Sequence, residues 1–486
     1  MHESFRLKSE SVSRCSCLGT MGYFCCDCNN LDLFYFDYLM YFKYHFSLFL
    51  ANQYLDPIEL YYGENIPKSV HRRQDCVPIV YVAGSHYEVG YMVGQTFGKV
   101  IRDFLDAYEP LKKYLDIYET SKDGKRVYSE CLEVTNKYFP QYLIELKGMA
   151  TGADVPFHKL FLIHMDDILI SNVQDTSDDL STRCSTLMVN IPCKGQFIGH
   201  NEDALNVTIN HFYIVSAHIM PKGEEGGGIF PAGSLSGYAS GYNFHGLVFT
   251  INRIFAKKLI NNKIPRVFLM RALLASKANI NEIQDILTNY GAGTADAFHV
   301  NAGFLDGSRC SRIFYSIEVT PSETEPKSKV IVEPIHTEST SFYTNKLQFS
   351  DCEELKESGR DRSVARENAF KKLLQQNPII SLTDILNVLG STRGGEWQIF
   401  RDRQNDFVNT INLGVFDFNE KTWTIWTNNP LTNPPIIRLS LKFTTFISPT
   451  RNQGYENQPY VQRILSSFSD IYKNGLDKFK NIFTRD

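Results

Sequence analysis

After a polar, aperiodic stretch at 171–183 (SNVQDTSDDLSTR), the chain becomes a succession of short strand-like runs. CSTLMVN at Cys184–Asn190 is followed by a turn at Pro192–Gly195, then QFIGHNED and the alternating HFYIVSAHI at His211–Ile219. Further runs lie at Val248–Asn252, Phe298–Leu305, Arg312–Thr320, Val330–Val332, Val408–Phe416 and Trp423–Trp426. Alternation with a period of two buries one face of a sheet, and short continuous apolar runs suit strands covered on both faces. Helices are expected between them at Val267–Lys277, Ile280–Tyr290 and Ser363–Gln375. These patterns commit residues 184–486 to a sheet-rich α+β body with helical layers. The Gly-rich KGEEGGG at Lys222–Gly228 lacks the ending of a phosphate loop and reads as a surface turn.

The part before the polar stretch, 76–183, reads as helical. A short strand at Pro78 turns at Gly84–Ser85 into a helix whose stripe includes Val89, Val93, Phe97, Ile101 and Phe104. Ser85 is the expected N-cap, with Glu88 completing a capping box. Gly90, Gly94 and Gly98 share one face, which predicts close approach of another backbone, since each glycine costs about 1 kcal/mol against alanine in a helix. A second helix is expected over Tyr142–Thr151, ending at Gly152. Phe157–Ile170 is apolar around His164 and Asp166–Asp167, a trio more suited to capping or pairing than to holding a metal.

Residues 1–75 look foreign to the rest and read as a poorly ordered extension. Leu31–Leu50 is aromatic, but Asp32, Asp37, Lys43 and His45 interrupt it, which argues against a membrane span. No signal-peptide pattern precedes it. Cys25, Cys26 and Cys28 lack a second Cys/His pair at zinc-finger spacing. The 11 cysteines are odd in number and scattered, which argues for a reduced, cytoplasmic protein over a disulfide framework. Fifty basic against 54 acidic side chains leave a net charge of −4, with no global field for nucleic acid or an anionic membrane.

Candidate chemistry gathers after the polar stretch. Cys184 opens a strand there, and Asp203 follows in GHNEDAL across a strand–turn–strand that folds it back alongside. Asn252 is expected to end a strand in GYNFHGLVFTIN, and Asn301 to open one in AFHVNAGF. A core thiol and structural asparagines account for the same residues. One Cys, one Asp and two Asn are equally the set an N-terminal-nucleophile amidase uses.

The segments GSHYEVGYMVG, ELKGMATGADVPFHKLFLIHMDDIL, RCSTLMVN, GHNEDALNVTINHFYIVSAHI, GYNFHGLVFTIN and VNTINLGVFDFNEKTWTIWTNNP occur in order between about Ile79 and Pro435. Together they resemble the peptidase C45 family of isopenicillin-N acyltransferase-like hydrolases, most closely its β-alanyl-amine hydrolase branch. The resemblance implies a four-layer αββα sandwich made as one precursor that cuts itself before its nucleophile. It implies Cys184 as nucleophile and Asp203 as the carboxylate orienting the new amino terminus. Asn252 and Asn301 would bind acyl or oxyanion oxygens, and Arg401 would be a basic residue near the substrate. Arg183 stands where family members commonly have glycine. Tyr238, with Glu202 and Tyr242 also near in sequence, is a candidate for substrate contact. The implied reaction is hydrolysis of an N-acyl amine, N-β-alanyl above all, without cofactor or metal. The partners are then the small-molecule substrate and the two cleaved chains, with a higher oligomer left open. Acyl transfer, or an unprocessed binding homologue, are the alternatives.

Overall fold

The computed structural model describes residues 73, 76–173, 183–192, 194–220, 224–277, 279–355, 358–376, 379–393, 398–403 and 406–441. All belong to one compact unit. The Cys25–Cys28 cluster, the aromatic stretch at 31–50, most of the polar stretch and Cys193 lie outside the described residues.

Ser85 caps α1 (His86–Ala107) through a complete capping box with Glu88. α2 (Glu109–Thr120), α3 (Lys122–Tyr138), α4 (Pro140–Ala153), α5 (Phe157–Met165) and α6 (Ile168–Val173) follow. Neither α2 nor α3 stands out in the sequence, because short, heavily charged helices dilute the apolar period. The glycines of α1 meet α4, as the spacing predicts. A Cβ on Gly90 or Gly94 would overlap the carbonyl oxygen of Glu145 or Met149, and one on Gly148 or Gly152 that of Tyr87 or Tyr91. Gly152 is therefore inside the helix and does not end it. Asp154 takes the left-handed cap instead, at φ 55°.

Fourteen strands form two sheets among the described residues. The first runs β1 (Ile79–Gly84), β4 (Phe212–Ile219), β5 (Glu224–Pro231), β6 (Ser240–Asn243), β7 (Leu247–Ile254), β8 (Ala297–Phe304), β9 (Phe314–Pro321), β10 (Ser328–Ile335). Only the β1–β4 pair is parallel in it. The second runs β11 (Ser339–Tyr343), β2 (Arg183–Ile191), β3 (Gly195–Leu205), β12 (Val408–Asp417), β13 (Thr422–Trp426), β14 (Ile437–Ser440), all antiparallel. Two sequence expectations are corrected here. The described part of KGEEGGG, Glu224–Gly228, is not a surface turn: it opens the interior strand β5, where Cβ atoms on Gly227 and Gly228 would crowd the carbonyls of Val215 and Ser240. Asn252 and Asn301 lie within β7 and β8 and not at strand ends.

Three buried clusters separate the layers. Tyr213, Val215, Phe249, Ile251, Phe298 and Val300 pack on α1–α6 together with α7 (Arg266–Leu273) and α8 (Ile280–Thr288). Ile214, Ile229 and Val248, from the opposite faces of β4, β5 and β7, meet Met188, Ile198, Phe416 and Trp423 of the second sheet. Leu187, Val189, Leu413 and Val415 face outward onto α9 (Ser358–Gln376) and α10 (Leu382–Leu389) through Phe370, Ile385 and Leu389. The architecture is helix–sheet–sheet–helix, an αββα sandwich. Among the described residues no helix is long and apolar enough to cross a membrane.

Candidate active site

Cys184 is the second residue of β2 and lies opposite Glu202, with Arg183 opposite Asp203 and Thr186 opposite His200. Strand alternation turns Cys184, Thr186, His200 and Glu202 to the gap between the sheets. It turns Ser185, Asn201 and Asp203 to the outer helical layer, where Asn201 donates to the carbonyls of Leu389 (2.8 Å) and Ile399 (2.9 Å).

On the inner face, the Cys184 thiol donates to Glu202 Oε2 at 3.2 Å, and His200 Nε2 lies 3.1 Å from the same oxygen. Thr186 Oγ1 sits 2.8 Å from His200 Nδ1 and donates to Asn252 Oδ1, 2.9 Å away on the other sheet. Asn301 Nδ2 donates to that Oδ1 as well, at 2.8 Å. Asn252 Nδ2 is left buried and without a partner, a donor fixed in direction by two neighbours.

The backbone of Cys184 is clamped from the helical side. Its N–H donates to Asn345 Oδ1 (3.0 Å), and Arg366 of α9 donates to its carbonyl (2.6 Å), to Ser185 Oγ (2.8 Å) and to Asn345 Oδ1 (2.7 Å). Asn345 Nδ2 in turn holds the Arg253 carbonyl, next to Asn252.

Asp203 is fully buried. Its Oδ1 accepts from Thr410 Oγ1 at 2.6 Å, while Oδ2 has no partner. A register shift between Thr410 and Asn412 interrupts β12 at this point, and such a bulge re-aims a side chain that regular alternation would turn away. Burial pushes the Asp203 carboxyl up, and the guanidinium charges of Arg366 and Arg401 only partly oppose it. Burial, then the Glu202 carboxylate, pushes the Cys184 thiol well up. The thiol of the uncleaved chain thus needs a base before it can attack.

Over residues 192–432 the chain matches the model of the family described as acyl-coenzyme A:6-aminopenicillanic acid acyl-transferase. It is 36% identical over 387 residues to the β-alanyl-dopamine/carcinine hydrolase of Drosophila melanogaster, covering 76% of this chain and 98% of that one. The chain belongs to this family, peptidase C45. Two solved structures of conjugated bile acid hydrolase from Clostridium perfringens, each a single-residue variant, are 14% identical to it. They cover 53% of this chain and 92% of theirs, at TM-scores of 0.34 and 0.33. As a peptidase C45 member the chain is an amide hydrolase.

In this family member the four sequence candidates divide between the faces of the second sheet and the facing strands. Cys184, Asn252 and Asn301 are linked through Thr186 in the gap, and Asp203 lies behind them. Arg401 is held on the Asp203 side. Its N–H donates to Thr410 Oγ1 (2.9 Å) and its guanidinium to Asp406 (3.0 Å), so it meets the site through the hydroxyl that holds Asp203. Arg366, which no motif marks, is the guanidinium on Cys184. Glu202 and His200 were legible as alternate residues of HNED, hence one face. Asn345 and Arg366 come from distant segments and carried no signal. Tyr238 is half-buried within electrostatic reach of Glu202 and Asp166, whereas Tyr242 packs edge-on against Trp423 in the core between the sheets.

Arg183 takes extended backbone, not the left-handed region, and its buried guanidinium lies 5.3 Å above the Phe255 ring. His164 and Asp166–Asp167 do not form a metal trio. His164 bonds the Leu160 carbonyl (2.6 Å) and the Leu235 N–H (3.0 Å), and the two aspartates pair with Arg253 and Arg266. Ligand atoms of Cys184, His200 and Glu202 lie within 4.8 Å of one another, the only such donor set found among the described residues; here they bond each other.

Proposed function

We propose that the chain cleaves itself between Arg183 and Cys184 and then works as a cysteine N-terminal-nucleophile amidohydrolase on N-β-alanyl amines of the β-alanyl-dopamine or carcinine kind. The observation that carries this reading is the register of β2 on β3. It pairs the residue before the scissile bond with Asp203, whose Oδ2 is buried and unpartnered, and pairs the thiol residue with Glu202 on the opposite face. Cleavage in this reading is addition of the thiol to the Arg183 carbonyl carbon, rupture of the C–N bond with its proton passing to the Cys184 nitrogen, and hydrolysis of the resulting thioester. The products are a 183-residue piece and the remaining 303 of the 486 residues.

The freed α-amine supplies the base. Its ordinary pKa of about 7.7–8.0 lies close to that of a thiol, about 8.5, so it takes the Cys184 proton near neutrality. Asp203 Oδ2 is the acceptor that holds the resulting ammonium. The thiolate attacks the substrate amide carbon while Asn252 Nδ2 donates to the developing oxyanion, a contribution of roughly 2.7–4 kcal/mol for such donors. Asn301, with its amide engaged by Asn252 and Thr250, positions Asn252. The ammonium then passes its proton to the leaving amine, the C–N bond breaks, and a thioester remains. Water gives a proton to the α-amine and attacks the thioester; the carboxylic acid leaves and the thiol recovers its proton. A second amine in place of water gives acyl transfer, the chemistry for which the family model is named. Arg401, through Thr410, supports Asp203, and Tyr238 lines the substrate side. The odd, scattered set of cysteines supports a cytoplasmic setting for the reaction.

Mass spectrometry of the active protein tests this: a chain beginning at Cys184 is expected, and only intact chain in active enzyme refutes it. Cys184→Ala is expected to abolish both cleavage and turnover, because one sulfur serves both.

A further inference from the structure

Glu202 and Asp203 sit side by side, both buried, in unlike electrostatic surroundings. Asp203 is faced by Arg366 and Arg401. Glu202, among the described residues, forms no ion pair with any lysine or arginine. Its bonds are the Cys184 thiol and the His200 imidazole, both on Oε2, and Oε1 takes none. The one hydroxyl hydrogen of Thr186 goes to Asn252, so His200 Nδ1 donates to Thr186 Oγ1 and its Nε2 faces Glu202 Oε2, with Oε1 outside both contacts. A buried carboxylate oxygen without a donor is costly, and this carboxylate lies 3.2 Å from the sulfur that must itself become an anion.

We infer that Glu202 is the specificity residue of this site, and that its free Oε1 receives a primary ammonium carried by the acyl half of the substrate, about three bonds from the scissile carbonyl. The inference rests on the amidohydrolase reading above. Three single bonds of about 1.5 Å each span roughly 4 Å. That reach suits a carbonyl carbon about 3–3.5 Å from the sulfur and an ammonium about 2.8 Å from a carboxylate oxygen. The bound cation offsets the negative charge that holds the thiol protonated, so the correct acyl group favours its own attack. Neutral acyl groups of the same shape leave Oε1 of Glu202 unpaired.

The test compares N-β-alanyl-dopamine with its neutral isostere N-butyryl-dopamine on enzyme whose cleavage has been verified by mass. Wild type is expected to favour the β-alanyl substrate by at least about a hundredfold in kcat/KM. In Glu202→Gln that ratio is expected to fall to near one. Equal turnover of both substrates by wild type overturns the inference alone. So does a Gln variant that keeps the preference, or one that loses both substrates equally, which would make Glu202 part of the thiol chemistry. A wild type that cleaves neither substrate overturns the amidase reading and this inference with it. If the Gln variant stays uncleaved, the contrast is read on wild type: β-alaninamide should slow iodoacetamide alkylation of Cys184 about tenfold more than butyramide does. Equal protection refutes the assignment.

Discussion

Asp203 carries an ionisable group in a place that disfavours its charge, and this separates its contribution to function from its contribution to stability. Its folded pKa is raised above the unfolded value, so the native state binds the proton more tightly than the unfolded chain does. The stabilisation this gives is fully present below the unfolded pKa and is lost as pH rises through the folded one. Asp203→Asn keeps the Thr410 contact and removes the titration. On the uncleaved Cys184→Ala background, where no ammonium faces Oδ2, the substitution is expected to raise the melting temperature relative to its parent increasingly between pH 4 and pH 7; in otherwise wild-type enzyme turnover falls by a factor of about a hundred or more. Thermal melts at both pH values with a pH–rate profile check this. Normal turnover with a lowered melting point would make Asp203 structural and require another group to hold the amine.

The α1–α4 pair shows how glycines act through the element across from them. At Gly152 a Cβ meets the Tyr91 carbonyl oxygen, a backbone atom that cannot swing away. Gly152→Ala gains about 1 kcal/mol of helix propensity and loses about 1–3 kcal/mol to overpacking, for an expected net loss of about 0–2 kcal/mol. At Gly98 the nearest atoms are an Arg102 nitrogen at 3.1 Å and the Ala153 Cα at 3.3 Å, the first on a flexible side chain. Gly98→Ala is expected to be neutral or mildly stabilising. Denaturant midpoints of the two variants measure the difference, and equal midpoints would mean that the helices readjust freely. The bulge in β12 works at the same scale: one extra residue turns Thr410 toward Asp203 and leaves Ile411 in the core between the sheets.

At the scale of the whole molecule, the proposed cut falls between a helical part and a sheet-rich part that share one core. β1 pairs in parallel with β4 at the edge of the eight-stranded sheet, and residues of α1–α6 pack with those of β4, β7 and β8 in one cluster. Separation would expose that apolar face to water, at about 25 cal/mol per Å². The two chains are therefore expected to copurify through size exclusion and to part only in denaturant. A 303-residue chain that is active by itself would contradict this.

Sequence alone determined the strand-rich body, the capping box at Ser85, the glycine face of α1 and the family, because each is written in local period or contiguous motif. That Cys184 and Asp203 lie on paired strands was legible for the same reason, their segments being joined by a single turn. Only the tertiary structure decided which face each residue takes and what stands opposite. Glu224–Gly228 carry turn chemistry but lie in a sheet, where the neighbours' carbonyls approach Gly227 and Gly228 at the places side chains would take. Arg366 and Asn345 reach the Cys184 backbone from more than 150 residues away, and no spacing rule encodes that. Nor does the sequence reveal that Arg401 is tied to Asp406 while Glu202, among the described residues, pairs with no lysine or arginine. Ion pairing depends on distances between chain segments, which are fixed only when two sheets and two helical layers close on one another.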